Sequence, residues 1–123
     1  MTANESLFDK MLKEFCDSTD EFQSVALIST DGLPISSYSG PDTDMDSVTA
    51  TVASFHNLTE TGIKEFKNEP SREMIITSSG GIIIMVNLQD FDVIFYVYAL
   101  STPKLGYLMY QTREFINTLI PLL

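Results

Sequence analysis

Two stretches in the second half of the chain are apolar at almost every position, and they constrain the fold more than any other feature. One runs from Gly81 to Leu88 and contains the run Ile-Ile-Ile-Met-Val; the other runs from Asp92 to Leu100 and reads DVIFYVYAL. A strand with one face in water alternates apolar and polar residues, whereas a strand covered on both faces does not. Both stretches are therefore predicted to be central strands of a sheet that carries helices on each face.

A β-hairpin is predicted from Gln23 to Ser37. The apolar run 25–28 is followed by Asp31-Gly32 and then by a second apolar alternation. Asp-Gly between two strand-like runs is a strong hairpin signal, because Gly accepts positive φ without a Cβ clash. Pro34 cannot donate a ladder hydrogen bond, so the second strand is expected to begin irregularly or to lie at an edge.

A further strand is predicted from Arg72 to Ser78, and it is more polar than the two central ones. The segments Ser78–Gly81 and Gln89–Asp92 are short and rich in turn-forming residues. The three strands that they connect are therefore expected to form an antiparallel meander.

Three helices are predicted, because apolar residues recur at three- and four-residue spacing. They span about Glu5–Asp17, Asp44–Phe66 and about Pro103–Ile120. Asp or Thr within Asp42–Asp46 is expected to cap the second helix, since carboxylates are favoured at the positive end of a helix dipole. The third helix is expected to take its N-cap from Ser101–Thr102, with proline in its first turn.

The predicted order of elements is α-β-β-α-β-β-β-α. Five mostly antiparallel strands with helices on both faces make a three-layer α/β/α sandwich. The chain has 123 residues, which is long enough for one core and too short for two. We therefore expect a single domain over residues 1–123.

The first two helices carry apolar stripes that are expected to face the core. In the first helix the stripe consists of Leu7, Phe8, Met11, Leu12, Phe15 and Cys16; in the second it consists of Met45, Val48, Val52, Phe55, Thr59, Gly62 and Phe66.

A second stripe of the middle helix is made of small side chains, which would let another backbone approach closely. Solvated helix faces are usually rich in Glu, Lys and Arg, and none of these occurs from Ser47 to Thr59. A contact face is therefore favoured over the alternative that these residues simply face solvent. The small stripe consists of Ala50, Ala53, Ser54, Asn57 and Thr61.

The sequence has no motif of a catalytic or metal site. The P-loop pattern is absent, and Gly80-Gly81 is predicted to be a hairpin turn instead of a phosphate-binding loop. Cys16 and His56 are the only residues of their kinds, so a zinc site or a nucleophile–base pair is not favoured. The aspartates of Asp42–Asp46 lack the Gly and Glu positions of a calcium loop. We expect no enzyme activity, no cofactor and no metal.

Seven basic and seventeen acidic residues give the chain a net charge of −10. Binding to nucleic acid or to an anionic membrane needs clustered Lys and Arg, so neither partner is expected. An acidic surface suits a protein partner with basic patches, although solubility also accounts for it. The sequence shows neither a secretory leader nor a stretch long enough for membrane insertion, so we expect a cytoplasmic protein.

Residues 25–37, VALISTDGLPISS, resemble the first hairpin of Roadblock-type dynein light chain domains. The segment 78–84, SSGGIII, and the closing helix at the expected distance are also similar to that family. The resemblance extends over essentially the whole chain, from the first helix to Ile120.

The resemblance implies a relative of the profilin and longin folds that pairs through its middle helix and the next strand, so that two sheets become one. It implies a homodimer, or a heterodimer with a paralogue, and a non-catalytic adaptor or regulator of a small Ras-like GTPase. Any acceleration of GTP hydrolysis would act by repositioning the GTPase's own groups or by inserting Arg72 or Arg113. The expected interface residues are Ala50, Ala53, Ser54, Asn57, Thr61, Met74 and Ile76.

Two other functions remain open at this point. The first is a structural light chain or assembly subunit that binds another protein independently of nucleotide. The second is a small-molecule sensor, because profilin-like folds can carry ligand pockets. Against the sensor, Gly80-Gly81 and the predicted sheet offer no convergent polar groups.

Overall fold

The computed structural model describes residues 3–67, 69–100 and 104–123. Within these ranges the order of elements is the predicted one. The helices and strands are α1 (Ala3–Asp17), β1 (Phe22–Ser29), β2 (Pro34–Ser39), α2 (Met45–Lys64), β3 (Glu73–Thr77), β4 (Gly81–Leu88), β5 (Val93–Leu100) and α3 (Leu105–Leu119). Single 3-10 turns follow β4 and α3.

The five strands form one sheet in the order β2-β1-β5-β4-β3, and every neighbouring pair is antiparallel. The apolar strand β5 lies at the centre, flanked by β1 and β4, as its uninterrupted apolar run predicts. β3, β4 and β5 form the expected meander. The more polar strand β3 and the proline-containing strand β2 are the two edges.

The β1–β2 turn has the geometry that Asp-Gly predicts. The Gly32 amide donates to the Ser29 carbonyl at 2.9 Å, and the φ of Gly32 is +91°, in the region that favours glycine. The register then shifts, because Leu27 pairs with Ser36 whereas Ile28 pairs with Pro34. The irregular start of β2 and its edge position are both confirmed.

Helices α1 and α3 cover one face of the sheet and build the larger core there. Phe15 stands at its centre: its ring stacks on Phe22 and on Phe115 with centroids 4.5 and 4.4 Å away. Most of the α1 stripe is buried as predicted, but Met11 is only partly buried and Leu7 is 40% exposed. The prediction for Leu7 was wrong because periodicity fixes which residues share a helix face, not how far the sheet beneath that face extends.

Helix α2 covers the other face, where Val52 packs with Ala26, Ile28 and Ile94 in a smaller core. Helices on both faces confirm the three-layer sandwich. Asp44 is the N-cap of α2, and its carboxylate accepts hydrogen bonds from the backbone amides of the next turn at 3.1 and 3.3 Å.

The predicted ends of two helices need correction. Helix α2 ends at Lys64, so Phe66 lies beyond it and is 82% exposed, where the stripe placed it in the core. Helix α3 begins at Leu105, after Lys104 in extended conformation. The predicted N-cap Ser101–Thr102 and the proline after it lie outside the described residues.

Candidate protein-interaction surface

The outer edge of β3 is open, because β3 ends the sheet and pairs with β4 on its other side. Met74 and Ile76 alternate with Ile75, so both point toward the face that carries α2, opposite Met85 and Ile83 of β4. Both are only partly buried. The edge thus presents free backbone groups together with apolar side chains, which is a surface that pairs readily with another strand.

A cleft of about 130 Å³ separates α2 from the sheet on the side of β3. Its walls are Val48, Val52 and Phe55 from the helix, and its floor is Ile83 and Tyr96 from the sheet. Ser47 and Thr51 complete the lining, so none of the residues around it is charged. The helix therefore leaves part of the apolar sheet uncovered.

At the N-terminal end of α2 this cleft opens into a wider one of about 470 Å³, which we call the N-terminal cleft. Tyr96 and Tyr98 form part of its floor, and Asp42 and Asp44 lie at its rim. The Tyr96 hydroxyl lies 3.1 Å from Ser24 Oγ, and burial raises the pKa of Tyr96. The phenol therefore stays neutral at physiological pH, and the carboxylates are the charges of this cleft.

The outward face of α2 matches most of the predicted small stripe. Ala50, Ser54, Asn57 and Thr61 are exposed. The Ser54 hydroxyl donates to the Ala50 carbonyl and the Thr61 hydroxyl to the Asn57 carbonyl, both at 3.0 Å. Because these hydroxyls are already bonded to the helix, a partner could cover them at a small desolvation cost.

Ala53 is the member of the stripe that the structure places elsewhere. It is only 9% exposed and packs against the β1–β2 turn, where a Cβ added to Gly32 would lie 3.3 Å from the Ala53 Cβ. This small side chain thus allows α2 to approach its own hairpin. Ala53 is therefore not part of the exposed face of α2.

The sequence pattern did not identify the flank of α2 beside the cleft as a contact surface. It carries Ser47 and Thr51, and one turn beyond the exposed Ser54 comes Leu58, which is 68% exposed. These residues recur at helical spacing, and an exposed leucine in an uncharged segment was the available signal. The cleft itself depends on the tilt of the helix across the sheet, which local spacing does not reveal.

A hydrogen-bond network ties the segment before β3 to α2. Glu60 accepts from the backbone amide of Ser71 at 3.0 Å, from its hydroxyl, and from Asn87 Nδ2 at 3.4 Å. Burial alone would raise the pKa of Glu60, but the two Ser71 donors, with His56 and Lys64 nearby, hold that pKa below its usual value. The network holds the β3 edge and α2 in one arrangement.

The residues that are candidates for catalysis or metal binding do not form a cluster. Cys16 is buried on the inner face of α1, and burial raises the pKa of its thiol to about 11. His56 lies on the other side of the sheet, near Met74. Arg113 is bonded to Glu73 at 3.1 Å, and Arg72 is exposed. Across residues 3–67, 69–100 and 104–123, no three His, Cys, Asp or Glu side chains cluster as metal ligands would.

Another cleft, of about 450 Å³, lies on the opposite face between α3 and β3. Its charged lining includes Arg113 and Glu73, which are bonded to each other. Apolar lining comes from Val86, Phe91 and Ile120. Of the helices in the described part of the chain, none has the length and apolar character needed to cross a membrane.

These features define an α/β domain with an open strand edge beside an uncharged helix face. The sequence model of the Roadblock/LC7 domain matches residues 8–99, and the chain belongs to this family. Among curated proteins, none matches the sequence significantly.

Solved structures share the fold at low sequence identity. The Roadblock/LC7 domain from Streptomyces avermitilis superposes with a TM-score of 0.79 at 17% identity, over 92% of this chain and 94% of that one. MglB from Myxococcus xanthus gives 0.85 at 13%, over 97% and 89% of the two chains. A second MglB structure, which has a tetrameric arrangement, gives 0.83 at 14%, over 99% and 91%.

Proposed function

We propose that this protein is a non-catalytic, dimeric adaptor or regulator of a small Ras-like GTPase that works as a single domain in the cytoplasm. Membership of the Roadblock/LC7 family supports the functional class, since the resemblance of the hairpin and of the closing helix implies it. The similarity to an MglB structure with a tetrameric arrangement is consistent with self-association.

The proposal rests on two surfaces that lie next to each other on one side of the molecule and that the single chain leaves open. The β3 edge has free backbone groups, and the adjoining cleft beside α2 has an uncharged lining. An open edge and an uncovered apolar cleft favour association. Pairing two β3 edges would continue one sheet into the other, and the two α2 helices would then cover both clefts.

In this proposal the interface comprises the exposed predicted residues of α2 together with β3. Ala53 is replaced by the flank residues Ser47, Thr51 and Leu58, because Ala53 is occupied within its own protomer. The partner is a second copy or a paralogue with the same surface. The full set is Ser47, Ala50, Thr51, Ser54, Asn57, Leu58, Thr61, Met74 and Ile76.

The functional half of the proposal is tested with purified small Ras-like GTPases from the same organism. Each is loaded with GDP or with a non-hydrolysable GTP analogue and titrated into the protein in a calorimeter, and GTP hydrolysis is followed separately. We expect one GTPase to bind in a nucleotide-dependent manner. Equal affinity for both nucleotide states would favour the assembly-subunit function, and no binding in either state would reject the proposal.

A test of the arginine route uses Arg72→Ala and Arg113→Ala. If the GTPase is activated by repositioning of its own groups, both variants keep any acceleration of hydrolysis. Loss of acceleration with unchanged binding in the Arg72→Ala variant would assign the effect to an inserted arginine.

A further inference from the structure

Each end of α2 carries a feature that is open to a partner. Beyond the C-terminal end, Phe66 is 82% exposed, which is unusual for a large aromatic side chain. At the N-terminal end lies the N-terminal cleft, with Tyr96 and Tyr98 in its floor. One end thus offers an aromatic side chain, and the other offers an aromatic cleft.

The charges at the two ends also differ. Asp42 and Asp44 rim the N-terminal cleft, and Asp46 is exposed in the first turn of α2. The other end presents Lys64 and Lys67 beside Phe66, together with the exposed Glu65. If two copies of α2 packed in parallel, the aspartates would face each other, whereas antiparallel packing sets them against the lysines. Charge therefore favours the antiparallel arrangement, and so do the helix dipoles.

The length of α2 allows the N-terminal end of one copy to lie against the C-terminal end of the other. The helix has 20 residues, which corresponds to about 30 Å at 1.5 Å per residue. A two-fold axis that crosses it near its centre, at Ser54, sets Asp44 opposite the partner's Lys64. The same axis sets Asp42 opposite the partner's Phe66, which brings that ring to the N-terminal cleft.

We propose that the N-terminal cleft of each protomer receives Phe66 of a second copy of this chain, with the partner's Lys64 and Lys67 beside Asp42 and Asp44. The contact is isologous: each copy donates one aromatic side chain and offers one cleft, so a closed dimer uses both. This inference rests on the dimer in the proposed function and names the residues that fix its orientation.

The decisive experiment mixes two charge-reversed variants. Asp42→Lys sets lysine against the partner's Lys67, and Lys67→Glu sets glutamate against the partner's Asp42, so each variant alone should dimerise about fivefold more weakly than wild type. In a mixed dimer both contacts join opposite charges. We therefore expect native mass spectrometry of the mixture, with one variant isotope-labelled, to show an excess of the heterodimer over the statistical half.

A second experiment tests the aromatic anchor. Phe66→Ala should raise the dimer dissociation constant about tenfold in sedimentation equilibrium, because an aromatic contact that fills the cleft is lost. Leu33→Ala is the matched control: Leu33 is 65% exposed on the β1–β2 turn and should have no effect. Both positions are exposed, so both variants should keep the wild-type thermal unfolding midpoint at a concentration where the protein is monomeric.

The outcomes separate this inference from the proposed function. A wild-type protein that is monomeric at all concentrations overturns both. A wild-type dimer that tolerates Phe66→Ala, or a statistical mixture of the charge variants, overturns the antiparallel contact and leaves the dimer standing. Weaker association of Phe66→Ala combined with an excess of heterodimer supports the proposal.

Discussion

Glu60 is the side chain that joins α2 to the strand edge beside it. Its carboxylate receives two hydrogen bonds from Ser71 and one from Asn87, so three donors from two segments converge on one helix residue. Hydrogen bonds to an ionised group are stronger than those between neutral groups. Ionised Glu60 therefore strengthens the connection between α2 and the segment before β3.

The stabilising effect of Glu60 should depend on pH. Its pKa is lower in the folded protein than in the unfolded chain, so the stabilisation is present above the unfolded carboxyl pKa and is lost as pH falls through the folded one. We expect the difference in unfolding free energy between wild type and Glu60→Gln to be constant near neutral pH and to shrink below about pH 4. Urea unfolding at a series of pH values measures it.

A difference between the two proteins that stays constant down to pH 2 would contradict the role of the charge. Glu65→Gln is the control, since Glu65 is exposed one residue beyond the helix. Glu65→Gln leaves all three donors to Glu60 in place, so at neutral pH it should lack the loss of unfolding free energy measured for Glu60→Gln.

Three side chains show that helical spacing alone does not predict burial. Leu7 and Phe66 belong to apolar stripes but are exposed, and Ala53 belongs to the small stripe but is buried. Helical spacing gives the angle between residues on one helix. Burial also depends on where the helix ends and on what lies opposite, such as the hairpin turn at Gly32.

Among the elements, α2 was the most predictable in its start and the least predictable in its surroundings. Asp44 caps it as the run of aspartates implied, because capping uses only local backbone amides. The cleft between α2 and the sheet depends on Ile83 and Tyr96, which lie far from the helix in sequence. Because these contacts join residues that are far apart in sequence, no local pattern predicts the cleft.

The cap of α2 makes a quantitative prediction. Asp44→Ala should lower the unfolding free energy by about 1 kcal/mol, because two backbone amides lose their acceptor, whereas Asp44→Asn should leave it nearly unchanged. Asp42→Ala removes an equal charge from an exposed residue that does not cap, and it should have little effect at a concentration where the protein is monomeric. Equal losses for Asp42→Ala and Asp44→Ala in chemical unfolding would show that charge, and not capping, is responsible.

In the strands, too, some features follow from local residues and others depend on contacts between distant segments. β5 could be placed at the centre from its run of apolar residues, and Pro34 correctly indicated an irregular edge strand. The bulge at the start of β2 follows from Pro34 and from the turn geometry at Gly32, both of which are local. The pairing of β1 with β5 joins residues that are far apart in sequence, and no local pattern predicted it.

At the scale of the whole molecule, the two faces of the sheet are covered unequally. Two helices and a cluster of phenylalanines cover one face, whereas α2 alone covers the other and leaves an uncharged cleft beside an open edge. A chain with a net charge of −10 repels its own copies at long range, so any association depends on short-range contacts. We propose that a second copy binds on the uncovered side.

The most direct test is the absolute mass in solution, measured by light scattering for wild type, Ser54→Arg and Thr118→Arg. Ser54 lies at the centre of the exposed face of α2, and Thr118 is an exposed residue of α3 on the opposite side of the sheet. We expect roughly 27 kDa, twice 13.7 kDa, for wild type and for Thr118→Arg, and 13.7 kDa for Ser54→Arg, since two arginines would meet at the two-fold axis. A wild-type monomer, or a Ser54→Arg protein that remains a dimer, would contradict the account.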